Sequence, residues 1–318
     1  MMKKIFTAFI AAMFCVSALN AQECAVLENG TRVSVQACSD NIFRVRISPR
    51  ESFSESLMER YGILKTDWNG SEWLCKPGSI TTKSGVSVSL KADGSLSFSN
   101  ASGSVIDEIR LVQAGNPLIK SLGDRINEKF SSLHVASNGG IIGDDDGRFS
   151  EKDKAESGDM DKASIISISL ADGERFYGGG STSRDHIQHR GELLRMWTTY
   201  QHTEIPMPFM VSSRGWGVFN NTTRKNFFDV GCQQADRLNI YNTCDEADFY
   251  IFVSNGMPGV IDQFTQVTGR PYVLPKWAYG LGFGPNMREN QFDILSDAVN
   301  FRQVDVPVDF FWLEPQWM

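Results

Sequence analysis

The stretch Phe43-Arg44-Val45-Arg46-Ile47 alternates apolar and charged residues one by one. Because successive side chains of a β-strand point to opposite faces, this period of two predicts a strand with one buried face. Similar alternation extends over residues 31–170, in short runs separated by Gly, Asn, Asp and Ser. No amphipathic helix is predicted before about residue 261. The pattern therefore favours a β-sandwich of short antiparallel strands over an α/β arrangement.

A tight turn is predicted between two of these runs. In residues 86–90 apolar residues alternate with serines, and Asp93-Gly94 then turns the chain toward the run at residues 96–98. Strand-like alternation resumes at residue 166 and is found again at residues 249–253. We therefore assign residues 22–271 to an N-terminal β-sandwich domain.

The periodicity changes after this domain. Residues 278–283 form a short apolar, Gly-rich run, residues 289–304 have helical spacing, and residues 308–313 are almost continuously apolar. A continuous apolar strand indicates burial on both faces, as in a parallel sheet. The three segments predict a β-α-β unit within residues 272–318. The helix face predicted to pack on the strands comprises Phe292, Leu295 and Val299.

This β-α-β unit is typical of a (β/α)8 TIM barrel, which needs eight such units in about 250 residues. Two parallel strands can neither close into a barrel nor cover their own faces. We therefore expect residues 272–318 to be the start of a truncated barrel, and the chain to be a fragment.

A charged segment interrupts the predicted sandwich. Residues 144–162 are rich in charge and almost free of apolar residues, which indicates a solvated loop. Its Asp144-Asp145-Asp146-Gly147 cluster has consecutive carboxylates rather than the alternate spacing of a calcium-binding loop. We interpret the cluster as a turn.

The N-terminus has the pattern of a secretory signal peptide. Lys3 and Lys4 precede an apolar run at residues 5–19, and Ala21 precedes Gln22. The apolar run is shorter than the ~20 residues of a membrane-spanning helix. We predict cleavage after Ala21, which makes residues 1–21 the signal and the mature protein periplasmic or extracellular, with no membrane span left.

The overall composition suits a globular protein with a non-ionic partner. The 318 residues are 41% hydrophobic and 22% charged, and the net charge is −7. Such a chain has no basic field for holding nucleic acid. Neutral ligands such as sugars fit better.

Cysteine and histidine spacing indicates no metal site. The cysteines after the signal are Cys24, Cys38, Cys75, Cys232 and Cys244. Cys24 with Cys38, or Cys232 with Cys244, could form a disulfide, and buried free thiols are the alternative. One loop region contains His186, His189 and His202. We interpret them as surface residues, because no carboxylate partner or helical spacing that would suit a metal site is evident.

Several ordered motifs follow from residue 174 onward. They are Glu174-Arg175-Phe176-Tyr177-Gly178 with Gly180, Arg190-Gly191 with Met196-Trp197, Pro208-Phe209, residues 213–219, Thr268-Gly269-Arg270-Pro271 with Pro275, Trp277 and Gly280, and residues 312–318. In order and spacing they resemble glycoside hydrolase family 31, the α-glucosidase and α-xylosidase family. The resemblance covers roughly the last 145 residues. Ser181, Tyr200, Glu314 and Gln316 depart from the family pattern, so plain α-glucosidase specificity does not follow.

The resemblance implies a mainly β chain, with a galactose mutarotase-like sandwich before the barrel. It also implies hydrolysis of α-linked glycosides with retention, by two Asp residues that it places beyond Met318. This chain alone is therefore expected to be inactive. No cofactor is implied, the implied partner is an oligosaccharide or other α-glycoside, and the oligomeric state stays open.

Among the residues present, Glu314 lies where the resemblance implies hydrogen bonding to sugar hydroxyls, at the end of a barrel strand. Trp312 and Trp317 are candidates for stacking on sugar faces, and Trp312 is equally well interpreted as barrel core. Two other functions stay open at this point. One is a non-catalytic carbohydrate-binding sandwich, and the other is a mutarotase-like enzyme, against which the lack of a clear His and Glu acid/base pair counts.

Overall fold

Two antiparallel β-sheets make up the larger part of the fold. The computed structural model describes residues 21–27, 30–68, 73–76, 78–136, 156–181, 186–198, 205–285 and 290–313. These residues divide into two compact units, the first ending at Gly269 and the second beginning at Arg270. The first unit holds both sheets, and the second holds a short parallel strand pair.

The strands of the first unit, within the described residues, are β1 (Ala21–Val26), β2 (Arg32–Ser39), β3 (Ile42–Ser48), β4 (Trp73–Lys76), β5 (Ser79–Thr82), β6 (Ser87–Leu90), β7 (Leu96–Asn100), β8 (Gly103–Gln113), β9 (Ser164–Ser169), β10 (Phe176–Ser181), β11 (Leu193–Met196), β12 (Ile205–Ser212), β13 (Trp216–Asn220), β14 (Asn226–Val230), β15 (Arg237–Asn242) and β16 (Ala247–Val253). Sheet A has the order β1-β2-β3-β16-β13-β12-β10, and sheet B has the order β11-β14-β15-β9-β8-β7-β6-β5-β4. Both sheets are antiparallel. The predicted mainly β sandwich is confirmed.

The main core lies between the two sheets. Phe43 of sheet A meets Phe98 of sheet B edge to face, with ring centroids 5.4 Å apart. Asp93-Gly94 forms the predicted turn between β6 and β7, where Gly94 has φ +81°. Burial of a large apolar side chain is worth about 1.5–3 kcal/mol, so the fully buried aromatic residues of this core contribute strongly to stability. They include Phe43, Phe98, Phe176, Trp216, Phe228 and Phe249.

The helix α2 (Pro117–Ala136) shows that the prediction of no helix before about residue 261 was wrong. Proline suits the first helical position because its missing N–H has no partner there in any case. Gly123, in the middle, costs about 1 kcal/mol of helix propensity relative to alanine, which weakens the local signal. Packing on sheet B compensates. The buried face of α2, at spacings of three and four residues, comprises Ile119, Leu122, Ile126 and Phe130.

A second hydrophobic cluster lies on the outer face of sheet A, where α3 (Met257–Thr268) packs against β12, β13 and β16. Phe264 of this helix stacks on Phe209 with ring centroids 4.0 Å apart. Met58 of the short helix α1 (Leu57–Arg60) and Leu64, which follows this helix, join the same cluster. The outer face of sheet A is therefore covered as well as the inner one.

A buried arginine ties α1 to sheet A. Arg44 was expected to face outward, yet its side chain is only 8% exposed. Its guanidinium donates to both carboxylate oxygens of Asp248, at 2.9 and 2.6 Å, and to both of Glu59, at 2.5 and 2.8 Å. Hydrogen bonds from Arg44 hold the pKa of the Glu59 carboxyl below its ordinary value. Alternation alone could not predict this burial, because Asp248 is 204 residues away.

The second unit contains the predicted β-α-β arrangement, with β17 (Gly282–Phe283), α4 (Gln291–Gln303) and β18 (Phe310–Phe311). The two strands pair in parallel, Gly282 with Phe310 and Phe283 with Phe311. They are shorter than the apolar runs suggested, and a 3-10 helix, Lys276–Tyr279, takes up part of the first run. A barrel around this unit stays a prediction.

The predicted packing face of α4 was wrong. Phe292, Leu295 and Val299 are 72%, 63% and 53% exposed. Phe301 instead contacts Phe283 and Phe311, with ring centroids 5.0 and 6.1 Å apart. Residues 294, 298 and 301 also follow helical spacing, so the sequence of α4 has two apolar stripes. The stripe that contains Phe301 contacts the strands, and the predicted stripe does not.

The charged segment is only partly described. Residues 144–155, with the Asp144–Gly147 cluster, lie outside the described residues. Glu156 and Ser157 are buried, at 5% and 0% exposure, whereas residues 158, 159, 161 and 162 are exposed as expected of a solvated segment. Ser157 exchanges hydrogen bonds with Asn127 of α2, and its carbonyl accepts from Tyr241. Tertiary contacts that composition does not reveal anchor this end.

Three cysteines are free thiols in the structure, namely Cys38, Cys232 and Cys244. Neither of the two possible disulfides is therefore formed. Burial raises the pKa of the Cys38 thiol to about 12, which keeps it protonated and unreactive. The side chains of Cys24 and Cys75 lie outside the described residues. Within the part of the chain described, we find no helix whose length and apolar character suit it to spanning a lipid bilayer.

Candidate functional site

Glu174, in the first family motif, links neighbouring strands at the edge of sheet A by hydrogen bonds. Glu174 is 3% exposed, and its Oε1 accepts hydrogen bonds from Trp216 Nε1, at 2.6 Å, and from Ser212 Oγ. Its Oε2 accepts from the backbone N–H of Ala171 at 2.8 Å. Phe176 packs edge to face on Trp216 with ring centroids 5.6 Å apart. Glu174 and Phe176 therefore join β10 to β12 and β13 and are buried in that packing.

The two glycines of this motif permit a close strand pairing. Gly178 and Gly180 lie in β10 at a register shift against β12, with φ of +118° and +73°. A Cβ at Gly180 would overlap the backbone oxygen of Ile205, and one at Gly178 would overlap that of Phe209. Only glycine combines these φ angles with such an approach.

We expect Gly180→Ala to lower the free energy of unfolding by about 3 kcal/mol, because left-handed strain adds to overlap with a paired strand. Gly173→Ala is the matched control. Gly173 has φ +68°, and an added Cβ would meet no atom within 4 Å, so this variant isolates the strain of about 1–2 kcal/mol. Urea unfolding of both variants measures the difference, and equal losses would refute a steric role for Gly180.

His189 is buried and not on the surface as predicted. It is 3% exposed, its Nδ1 lies 2.9 Å from Glu192 Oε2, and its Nε2 lies 3.1 Å from the backbone oxygen of Gly178. The carboxylate partner is three residues away, a spacing that the sequence prediction overlooked. His186 is exposed, and His202 lies outside the described residues. Among the side chains described, no group of three or more His, Cys, Asp or Glu is placed to hold a metal ion.

An open cleft lies where β11 of sheet B ends beside the start of β12 of sheet A. Its volume is about 340 Å³. Trp197 is 41% exposed at its rim, and Pro206 and Pro208 supply further apolar surface. The complete lining is Met196, Trp197, Thr198, Pro206, Pro208, Thr222, Thr223, Arg224 and Asn226.

A partly buried ion pair contacts the Trp197 ring of the cleft. Lys225 Nζ lies 2.9 Å from Glu156 Oε2, and the side chain of Glu156 is 6% exposed. The same ammonium lies over the Trp197 ring, 5.8 Å from its centroid. This is within the range of a cation–π contact, so the pair restricts the position of the indole. The sequence analysis did not predict this cleft, because Trp197 and residues 222–226 are distant in sequence and come together when β11 pairs with β14.

The sequence-predicted sugar contacts belong to the second unit. Trp312, directly after β18, is 47% exposed, and its backbone N–H donates to the Phe283 oxygen at 3.1 Å. Its indole lies so close to Gly284 that a Cβ there would overlap Nε1. The Trp312 indole therefore packs on Gly282 of β17 and on Gly284, which follows this strand. Glu314 and Trp317 lie outside the described residues, so their proposed contacts stay predictions.

Comparison with known proteins agrees with this architecture. The family model of the glycosyl hydrolase 31 N-terminal galactose mutarotase-like domain matches residues 32–229. The first unit is thus defined as a galactose mutarotase-like β-sandwich. The chain belongs to glycoside hydrolase family 31, which confirms the resemblance found in the motifs.

Two relatives illustrate the sequence similarity. The chain is 25% identical over 166 residues to an α-xylosidase of Emericella nidulans, covering 48% of this chain and 21% of the relative. It is 28% identical over 162 residues to α-glucosidase 2 of Bacillus thermoamyloliquefaciens, covering 47% and 20%. The aligned part thus spans about a fifth of either relative's length.

A solved structure illustrates the similarity in fold. The chain superposes on a family 31 dextranase of Flavobacterium johnsoniae, determined with isomaltotriose, with a TM-score of 0.67. The superposition covers 94% of this chain and 34% of the dextranase, at 18% sequence identity. At that identity the likeness concerns the fold alone.

Proposed function

We propose that this chain is the N-terminal part of an exported glycoside hydrolase that cleaves α-linked glycosides with retention of configuration. The observation that carries the proposal is the match of residues 32–229 to the N-terminal domain of family 31. Relatives named α-xylosidase and α-glucosidase support the substrate class. The signal-like pattern of residues 1–21 supports export.

Retaining hydrolysis needs two carboxyl groups about 5–5.5 Å apart, one as nucleophile and one as acid and then base. The motif resemblance assigns both to Asp residues beyond Met318. The roles proposed for this chain are therefore support and substrate contact. The sandwich holds β10, β12 and β13 rigidly through Glu174, while Glu314, Trp312 and Trp317 are proposed to contact the sugar.

The test starts from the DNA that follows codon 318. We expect the reading frame to continue, and its complete product to release sugar from p-nitrophenyl α-glucoside or α-xyloside with the α-anomer formed first. The 318-residue chain should release none. The mass of the secreted product should place Gln22 first.

Two results would contradict this proposal. Hydrolysis by the 318-residue chain would place the catalytic carboxylates within it. A complete product that cleaves no α-glycoside would remove the assigned reaction.

A second candidate function is a non-catalytic carbohydrate-binding sandwich. The open cleft beside Trp197 favours it, because this cleft lies wholly in the first unit. A stop codon directly after residue 318, together with sugar binding by the chain, would select this function over hydrolysis.

A mutarotase-like reaction in the sandwich is less well supported. Such a reaction needs an acid and a base that the substrate can reach. Among the described residues, the candidate pair is His189 with Glu192, which lie within hydrogen-bond distance. Both ring nitrogens of His189 already have protein partners, and the residue is buried. This pair is therefore unavailable to a substrate.

A further inference from the structure

The open cleft beside Trp197 combines an apolar wall with polar residues. A large aromatic side chain that is 41% exposed beside two prolines forms an apolar wall. The lining also includes Thr222, Thr223 and Arg224, whose side chains carry two hydroxyls and a guanidinium. Apolar walls with a few convergent polar groups are typical of ligand pockets.

The polar groups suit a ligand that carries hydroxyls. Thr222 Oγ1 accepts a hydrogen bond from the backbone N–H of Arg224 at 3.1 Å, which leaves its own O–H to donate. Among the described residues, no carboxylate pairs with the Arg224 guanidinium, whose five N–H groups are donors. The oxygen of a ligand hydroxyl can accept a hydrogen bond from these N–H and O–H groups, and its hydrogen can be donated to an acceptor of the protein.

Size and charge narrow the ligand further. About 340 Å³ is near the lower end of the roughly 300–1,000 Å³ typical of such pockets, so it suits one ring rather than an extended chain. The Lys225 charge is compensated by Glu156, and the protein as a whole carries −7. Arg224 is a local cation in the lining, so the preference for a neutral ring over an anion rests on the net charge of −7, which disfavours the approach of anions.

We propose that this cleft binds one neutral pyranose ring, with the Trp197 indole stacked on the ring's C–H face. Thr222, Thr223 and Arg224 hydrogen-bond the hydroxyls. Lys225, held by Glu156, is a positioning residue that fixes the indole. The choice of a sugar as ligand rests on the proposed function, whereas the site itself is new and lies on the sandwich.

The experiment is saturation-transfer NMR on the 318-residue chain with methyl α-D-glucopyranoside and methyl α-D-xylopyranoside. We expect saturable binding with a dissociation constant in the millimolar range, which corresponds to about −4 kcal/mol. Glycerol, which has hydroxyls but no ring face, should give no saturable signal. Binding of glycerol as strongly as of the sugars would overturn the proposal.

Three variants make the assignment specific. Trp197→Ala should weaken binding about tenfold or more, and Trp197→Phe should retain part of it. Trp277→Ala is the matched control, because Trp277 is 56% exposed in the second unit and should leave binding within about twofold. Circular dichroism checks that each variant is folded. Unchanged binding in a folded Trp197→Ala variant would overturn the proposal.

Lys225→Met tests the positioning role separately. It removes the ammonium and keeps most of the unbranched side chain, shorter by one atom. We expect about threefold weaker binding together with a changed Trp197 side-chain environment in the ¹H-¹⁵N indole spectrum. An unchanged indole resonance would refute the positioning role.

Failure of this site can be told apart from failure of the proposed hydrolase function. Hydrolysis by the complete product without saturable binding by the 318-residue chain would overturn only the cleft proposal. Saturable binding that depends on Trp197, without hydrolysis by the complete product, supports the cleft and contradicts only the hydrolase proposal.

Discussion

Glu174→Ala is expected to lower the free energy of unfolding by about 3–5 kcal/mol. The substitution removes the acceptor of three hydrogen bonds, from Trp216 Nε1, Ser212 Oγ and the Ala171 N–H. A buried donor left without a partner costs about 1–3 kcal/mol. The Trp216 indole N–H cannot find water, since Trp216 is 1% exposed.

Urea unfolding followed by tryptophan fluorescence measures this loss. Glu174→Gln, which keeps one acceptor oxygen, should lose less than Glu174→Ala and remains measurable if the alanine variant does not fold. Glu55→Ala is the surface control, because Glu55 is 58% exposed and its ion pair among the described residues is with exposed Arg60, so a change below about 1 kcal/mol is expected. If Glu174→Ala lowers the free energy of unfolding as little as Glu55→Ala does, the hydrogen bonds of Glu174 contribute little to stability.

Arg44→Met is expected to cost about 3–5 kcal/mol, because it leaves the carboxylates of Asp248 and Glu59 facing each other without their shared cation. Methionine keeps much of the apolar stem, so the loss reports on charge more than on volume. Arg60→Met is the control at an exposed pair. Adding Glu59→Gln and Asp248→Asn to Arg44→Met should recover part of the stability, and no recovery would contradict the charge explanation.

Acid pH provides a second readout of this cluster. Arg44 lowers the pKa of Glu59 from its ordinary 4.5, so ionised Glu59 stabilises the folded state at pH values above 4.5. This contribution is lost as the pH falls through the lowered pKa. The Arg44→Met variant should lack that acid-induced loss. A parallel pH dependence in wild type and variant would argue against the assignment.

Motifs that identify the family differ in what they do within this chain. Glu174, Phe176 and the two glycines after them stabilise the edge of sheet A, and none of them faces the Trp197 cleft. Arg190 is similar, since its guanidinium donates to the backbone oxygens of Glu174 and Ala235. The motif residues Met196, Trp197 and Pro208, by contrast, line the Trp197 cleft.

The sugar contacts predicted for Trp312, Glu314 and Trp317 stay predictions. The structure shows that Trp312 follows β18 and is half-exposed. The cleft beside Trp197 was not predicted. Its lining comes from the end of β11, the start of β12 and the residues that precede β14, segments that are joined only when both sheets form.

The sequence by itself determined the family and part of the local structure, with α2 as the helix it missed. Alternation at residues 43–47, the Asp93-Gly94 turn and the parallel unit after Pro271 all express preferences of a few neighbouring residues, which a short window contains. Only the tertiary structure decided which polar residues are buried and which stripe of a helix packs. Arg44 meets Asp248 across 204 positions, and α4 turns Phe301 inward although Phe292 and Leu295 have equal periodicity. Such choices depend on partners far along the chain, because burial of a charge or an apolar face is favourable only where a matching surface is brought against it.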